Sequence, residues 1–300
     1  MKKQSRKSRL KWKKDYIWAY AFVAAPIVGY LLFAAGPLIS SIYYSMTNFD
    51  GYNPPQFIGL DNYVKLFTDD ELFYQTVFNT FYAALGIPLN MAVSLLIAVG
   101  LSRKIKGEKI FRSIFFLPSI CSVVAIGLLW KWLFNGEYGL LNVFLRDIGI
   151  NNPPAWLTDK HWAMPSMIIH GVFNGLGFNM IMYIAALKNV PQIYYEAAEI
   201  DGAGTWRKFW NVTWPLISPT TFYILITGII GAMQDFARFQ VMTGGGPEFS
   251  TTTVVYYLWL NAWRYMKMGY ASAISWIVGL VIMIITAVNF IGSKKWVHYE

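Results

Sequence analysis

Catalysis needs nucleophiles, paired acids or metal ligands at fixed spacings, and the 300-residue chain offers none of these. Gly244, Gly245, Gly246 and Pro247 make a glycine-rich run, but no Lys-Ser or Lys-Thr follows, so it is no phosphate loop. His-Glu-x-x-His, paired-cysteine and Gly-x-Ser-x-Gly patterns are missing too. No catalytic residue, no metal and no cofactor held by this chain is therefore expected. What the spacings support is recognition. Between Asn189 and Pro219, Asn189 can cap a helix whose first turn suits Pro191. Asp201-Gly202 can end it with Gly202 in the left-handed region. Thr205 can cap a second helix bearing Trp206, Phe209, Trp210 and Trp214, as far as Pro215. This helix–turn–helix is too polar to cross a bilayer and too apolar for open water. Its small residues suit close approach to a partner's groove, and an amphipathic loop resting on headgroups is the alternative. A second pattern lies upstream. Gly171, Asn174, Gly175 and Phe178 stand three or four apart and share a helical face, as do Gly231, Gln234 and Asp235. Amides beside aromatics can hydrogen-bond and stack a ligand. Small residues and amides also serve simply to pack membrane helices together.

The elements that carry these residues follow from composition. Hydrophobic residues make up 56% of the chain and charged ones 14%. Soluble domains carry about 25% charged residues, so the chain belongs in a membrane. The mean hydropathy of +0.39 agrees. Six stretches are long and apolar enough to span, near Ile17–Ile39, Thr76–Leu101, Phe111–Phe134, Ala163–Leu187, Leu216–Gln234 and Gly269–Gly292. The first is too long for the core of a cleavable signal peptide. An all-α, polytopic protein is expected, since helices satisfy every backbone group in lipid. The net charge is +9, and eight basic residues stand between Lys2 and Lys14. Placed just before a span, they are a topology signal rather than a nucleic-acid patch. With the loops after the second and fourth spans and the C-terminal tail, 18 basic residues fall on one side and seven on the other. The positive-inside rule then puts both termini in the cytoplasm. The chain divides into a basic tail, 1–15, and a membrane domain, 16–300. Between their ends the spans carry no Asp, Glu, Lys or Arg, and His170 is the one ionisable group at depth. Ion-coupled carriers place such groups in the membrane, so an ion-coupled secondary carrier is disfavoured. His170 and Cys121 read as packing residues.

Glu196-Ala197-Ala198, then Asp201-Gly202-Ala203, then Pro215 and Pro219, resemble the EAA signature of ABC importer membrane subunits. Trp214 departs from the pattern, which often has Leu before that proline. Phe57 to Tyr63 with Leu66-Phe67, Asn79-Thr80, Thr243 to Pro247 and Gly269 to Ala273 resemble segments of binding-protein-dependent carbohydrate permeases of the maltose and oligosaccharide type. The resemblance covers nearly the whole chain. It implies an ABC importer type I-like fold in a cell (plasma or inner) membrane, with segment 189–214 as a coupling segment. It implies that Glu196, Ala197, Ala198, Asp201, Gly202 and Ala203 dock onto a separate ABC ATPase dimer, where ATP and Mg would bind. It implies a second homologous permease subunit and an extracytoplasmic sugar-binding protein that delivers a di- or oligosaccharide. Asn174, Gly175, Phe178, Gly231, Gln234 and Asp235 resemble positions lining the substrate pathway. A permease for another polar solute, such as glycerol phosphate, is the neighbouring alternative. A phosphate would call for pathway Arg or Lys, and none is visible within the spans.

Overall fold

A computed structural model describes residues 2–102 and 106–298, with side chains from residue 16 onward. Arg103 and Lys104 of the expected inner loop, and the side chains of tail 1–15, lie outside the described residues. The described residues form helices and no strand. They divide into two units, residues 1–65 with 261–276, and residues 66–260 with 277–300.

In the first unit, helix α1 (Lys2–Tyr30) passes through a π-helical turn at Leu31–Ala35 into α2 (Gly36–Ser45). Pro26 and Pro37 sit within this run without breaking it. Tyr16–Ser45 is a 30-residue span whose apolar window is not buried inside the chain at all. A loop with one antiparallel bridge, Thr47 to Phe57, leads to α3 (Asp61–Thr68). The Asp50 carboxylate closes a turn by accepting from the Asn53 and Tyr52 amides at 2.8 and 3.0 Å. These bonds hold its pKa down at about 2. Buried Asn62 donates to the Ser45 and Thr47 carbonyls, both at 2.8 Å. The Gly269 amide donates to the Phe49 carbonyl at 2.8 Å, and a Cβ there would collide with the Thr47 carbonyl. Asn62 and Gly269, far apart in sequence, thus both fasten to the Ser45–Phe49 turn.

The second unit is a helix bundle. Helices α4 (Glu71–Ala84) and α5 (Gly86–Ser102) run on as one span. Asp70 caps α4 by accepting from the Phe73 amide at 3.0 Å. The expected third span, Phe111–Phe134, is not one helix. It divides into α6 (Glu108–Ile120) and α7 (Val123–Leu133), bent by 105°. Pro118 supplies no N–H to the ladder, and Cys121 and Ser122 turn extended, with ψ of 156° and 132°. After α8 (Leu140–Asp147), α9 (Lys160–Asn189) is the longest helix of this unit, capped by Asp159. Ion pairs mark the two ends of the bundle. Lys160 at the start of α9 pairs with Glu248 at 2.9 Å, and Lys188 near its end reaches Glu108 at 3.8 Å. The chain therefore enters α6 at the Lys188 end and returns to α9 at the Lys160 end, so the bent pair crosses the bundle once. Counted as one span, it brings the five unbroken candidate spans among the described residues to six.

Two short helices, α10 (Gln192–Ile200) and α11 (Thr205–Lys208), follow α9. The expected stop at Pro215 is absent. A π-helical turn, Phe209–Thr213, widens the ladder just before the proline, and Thr205–Met233 continues as one span into α12 (Trp214–Met233). Helices α13 (Ala237–Met242) and α14 (Val254–Trp259) and a π-helical turn precede α15 (Met268–Ser293). The core packs α5, α9 and α12 around Leu95, Ala98, Met180, Tyr183, Ile217 and Ile224. A second cluster gathers Phe134, Trp156, Met164, Met167, Phe239 and Met242.

Candidate functional site

The segment between α9 and α12 is built by its own turns. Pro191 precedes α10 in extended conformation, with φ −62° and ψ 133°. Gly202 has φ +72°, as its place after Asp201 predicts. The Asp201, Gly202 and Ala203 amides donate back to the carbonyls of Ala197, Glu199 and Ala198 at 3.1, 3.0 and 2.8 Å. Lys208 Nζ reaches Glu199 Oε1 at 2.7 Å, and the Tyr195 and Thr213 hydroxyls meet at 2.9 Å. Glu196, Ala197, Asp201 and Gly202 are exposed, while Ala198 and Ala203 are half-buried. No atom stands within 4 Å of a Cβ built on Gly202. Ile193, Trp206 and Ile200 are exposed beside them, the last at 88%. This apolar, small-residue surface is one short turn from α9 and one from the Thr205–Met233 span.

Those two helices, with the α4–α5 span, border an open-sided cavity of about 180 Å³ nearer the Lys160 end. Asn90, Gly171, Gly175, Asn179, Gly228 and Gly231 line it, and Asp235 and Arg238 close it. Asn179 donates to Asn90 Oδ1 at 2.6 Å, and Asn90 donates to the Val172 carbonyl at 2.6 Å. Arg238 is ion-paired with Asp235, donates to the Met167 carbonyl at 3.3 Å and lies over the Phe239 ring. A Cβ at Gly171 would run into the guanidinium, so the glycine makes its space.

Of the expected pathway residues, Gly175, Gly231 and Asp235 line this cavity, whereas Asn174, Phe178 and Gln234 do not. Phe178 and Gln234 are exposed, and Asn174 offers its carbonyl to Ser119 at 3.0 Å. The lining strip of α9 runs through residues 168, 171, 175 and 179, and residues 174 and 178 lie along its edge, about 60° round from 171 and 175. Asn90, Asn179 and Arg238 escaped the sequence reading. An amide in each of two apolar runs, and a base three residues after Asp235, were the available signals. His170 is buried edge-on against Trp130 at 5.6 Å, away from the lining. Neither ring nitrogen has a hydrogen-bond partner among the described residues.

Above the cavity, the Thr243–Pro247 segment is a hydrogen-bonded scaffold. Gly244 and Gly245 take φ of +59° and +81°. Thr251 and Thr252 donate to the Gly246 and Gly245 carbonyls at 2.7 and 2.9 Å. Asn79 donates to the Phe249 and Thr252 carbonyls, and Thr80 accepts from the Val254 amide at 2.9 Å. Asn79-Thr80 and Thr243–Pro247 thus belong to one scaffold.

Residues 90–294 match the family described as binding-protein-dependent transport system inner membrane component. The chain is 36% identical over 292 residues to the probable ABC transporter permease protein YesP of Bacillus subtilis, covering 96% of this chain and 94% of that one. It is 30% identical to the sn-glycerol-3-phosphate transport system permease protein UgpA of Agrobacterium fabrum, covering 94% and 97%. It is 32% identical to the lactose transport system permease protein LacF of Rhizobium radiobacter, covering 96% and 98%. Its fold matches a chain in the crystal structure of a bacterial ABC transporter that imports the acidic polysaccharide alginate. There the TM-score is 0.81 at 24% identity, over 96% of this chain and 99% of that one.

Proposed function

Because the chain belongs to the binding-protein-dependent transport system inner membrane components, as a membrane permease of the sugar ABC importer type, we propose that it forms half of the translocation pathway for a di- or oligosaccharide. One observation carries the reading. The exposed segment around Glu196–Ala203 is joined by short turns to α9 and to the Thr205–Met233 span, and these same helices line the polar cavity. A rigid displacement at the segment must therefore be felt at the cavity. In this reading an extracytoplasmic binding protein delivers the sugar, and a second, homologous permease supplies the other half. ATP hydrolysis on a docked ABC ATPase dimer moves the segment, and this chain does no catalysis itself. Both termini are cytoplasmic, in a cell membrane. In this reading Gly175, Gly231 and Asp235, which line the cavity, contact the sugar, and Asn174, Phe178 and Gln234 belong to the surrounding surface.

Gly202→Asp is the sharpest test. At φ +72° any side chain is strained by about 1–2 kcal/mol, and the new carboxylate points into the open space reserved for the ATPase. The subunit should reach the membrane, yet co-purify less ATPase and lose sugar-stimulated ATP hydrolysis. Glu196→Lys should be milder if that residue lies at the rim. Wild-type levels of both readouts in Gly202→Asp would remove the coupling assignment.

A further inference from the structure

We infer that the Asp235–Arg238 ion pair is the charge filter of the pathway, setting it to pass uncharged saccharide units and to reject anionic ones. This rests on the cavity being a sugar pathway and adds to it which sugars pass. Among the described residues that line the cavity, Asp235 and Arg238 carry the only formal charges, and they neutralise each other. Their side chains are only 23% and 12% exposed, so neither is well screened by water. A carboxylate or phosphate arriving here would be stripped of water beside a cation already satisfied and a fixed anion, and that desolvation would go uncompensated. A neutral sugar meets no such penalty. Vicinal hydroxyls can donate to the Asp235 carboxylate and accept from guanidinium N–H groups, and Asn179 adds an amide. Gly171 leaves the space in which the guanidinium lies against α9. Removing the negative partner alone should therefore unmask Arg238 and reverse the preference.

The test uses the intact transporter, this chain co-purified with its partner subunits, in nanodiscs without binding protein. Cys121→Ser removes the one native cysteine. Gly231→Cys then places a reporter on the lining where a Cβ meets nothing within 4 Å. Protection of that cysteine from N-ethylmaleimide is titrated with two probes of the same skeleton, galactobiose and digalacturonate. In the parent, galactobiose should protect at lower concentration than digalacturonate. In Asp235→Asn the ratio of the two protecting concentrations should shift toward digalacturonate by about tenfold or more. In Asp235→Asn with Arg238→Gln, neutral again, it should return toward the parent value. Reading a ratio within each variant cancels changes in reagent access or folded fraction. A parent that prefers digalacturonate, or a ratio unchanged in Asp235→Asn, overturns the charge filter and leaves the sugar pathway standing. If neither probe protects in any variant of an assembled complex, the cavity is not a sugar pathway and the filter falls with it.

Discussion

Asn90 donates into the Val172 carbonyl and accepts from Asn179, tying α5 to α9 at the cavity wall. Replacing Asn90 by Leu keeps the branched shape but leaves the Asn179 amide without that acceptor, a cost of about 1–2 kcal/mol in a membrane interior. Asn90→Leu should lower the thermal midpoint of the solubilised complex by several degrees. Asn90→Leu and Asn179→Leu should both also cut sugar uptake, since both residues line the cavity. Asn174→Leu and Gln234→Leu should leave uptake near wild type, because neither side chain lines the cavity. Uptake assays on all four, with membrane levels as control, decide the matter: an Asn174→Leu defect matching that of Asn179→Leu would move the pathway face. The sequence put Gly171 and Gly175 on one face of α9 but did not show that Asn179 stands beside them on the cavity wall. Glycines and asparagines lie on several sides of that helix, and only contact with α5 and Arg238 selects residues 171, 175 and 179. Arg238 was counted as a loop charge, because a residue that folds back over its own chain leaves no periodic trace.

Helices are where hydropathy served well and then failed. Five spans were legible because length and apolar content suffice. The 105° break after Ile120 was not, since the apolar run continues through it and proline is tolerated in many membrane helices. Pro215 gave the converse error, and a π-helical turn absorbs it. What decides such cases is tertiary packing. At Gly177 the α6 backbone comes so near that a Cβ would collide with the Phe115 carbonyl. A backbone cannot swing aside as a side chain can. Gly177→Ala should therefore force α6 off α9, at roughly 1–3 kcal/mol of overpacking. Gly100→Ala, with nothing within 4 Å, should be neutral or slightly stabilising. Melting of the detergent-solubilised pair of variants measures the difference, and equal midpoints would show that α6 does not rely on that close approach.

At the scale of the whole molecule, charge and contact agree on how the second unit is threaded. Lys160, Glu248 and Gln75 meet at one end of the bundle. Lys188 and Glu108 meet at the other, where the His298 amide also donates to Ser218 at 3.0 Å. The C-terminal tail is thus anchored at the end that carries the Glu196–Ala203 segment. The basic-residue count assigns this same end to the cytoplasm, on evidence that owes nothing to the contacts. The two together predict the labelling pattern of intact cells. In a Cys121→Ser background, a membrane-impermeant maleimide should reach cysteines placed at Asp69 and Glu248, both exposed at the Lys160 end. Cysteines at Lys106 and Lys295, exposed at the other end, should react only after the membrane is opened. Labelling of either inner position in sealed cells would invert the bundle. That would put the Glu196–Ala203 surface outside, beyond reach of any ATPase, and the coupling mechanism would go with it, whatever the cavity binds.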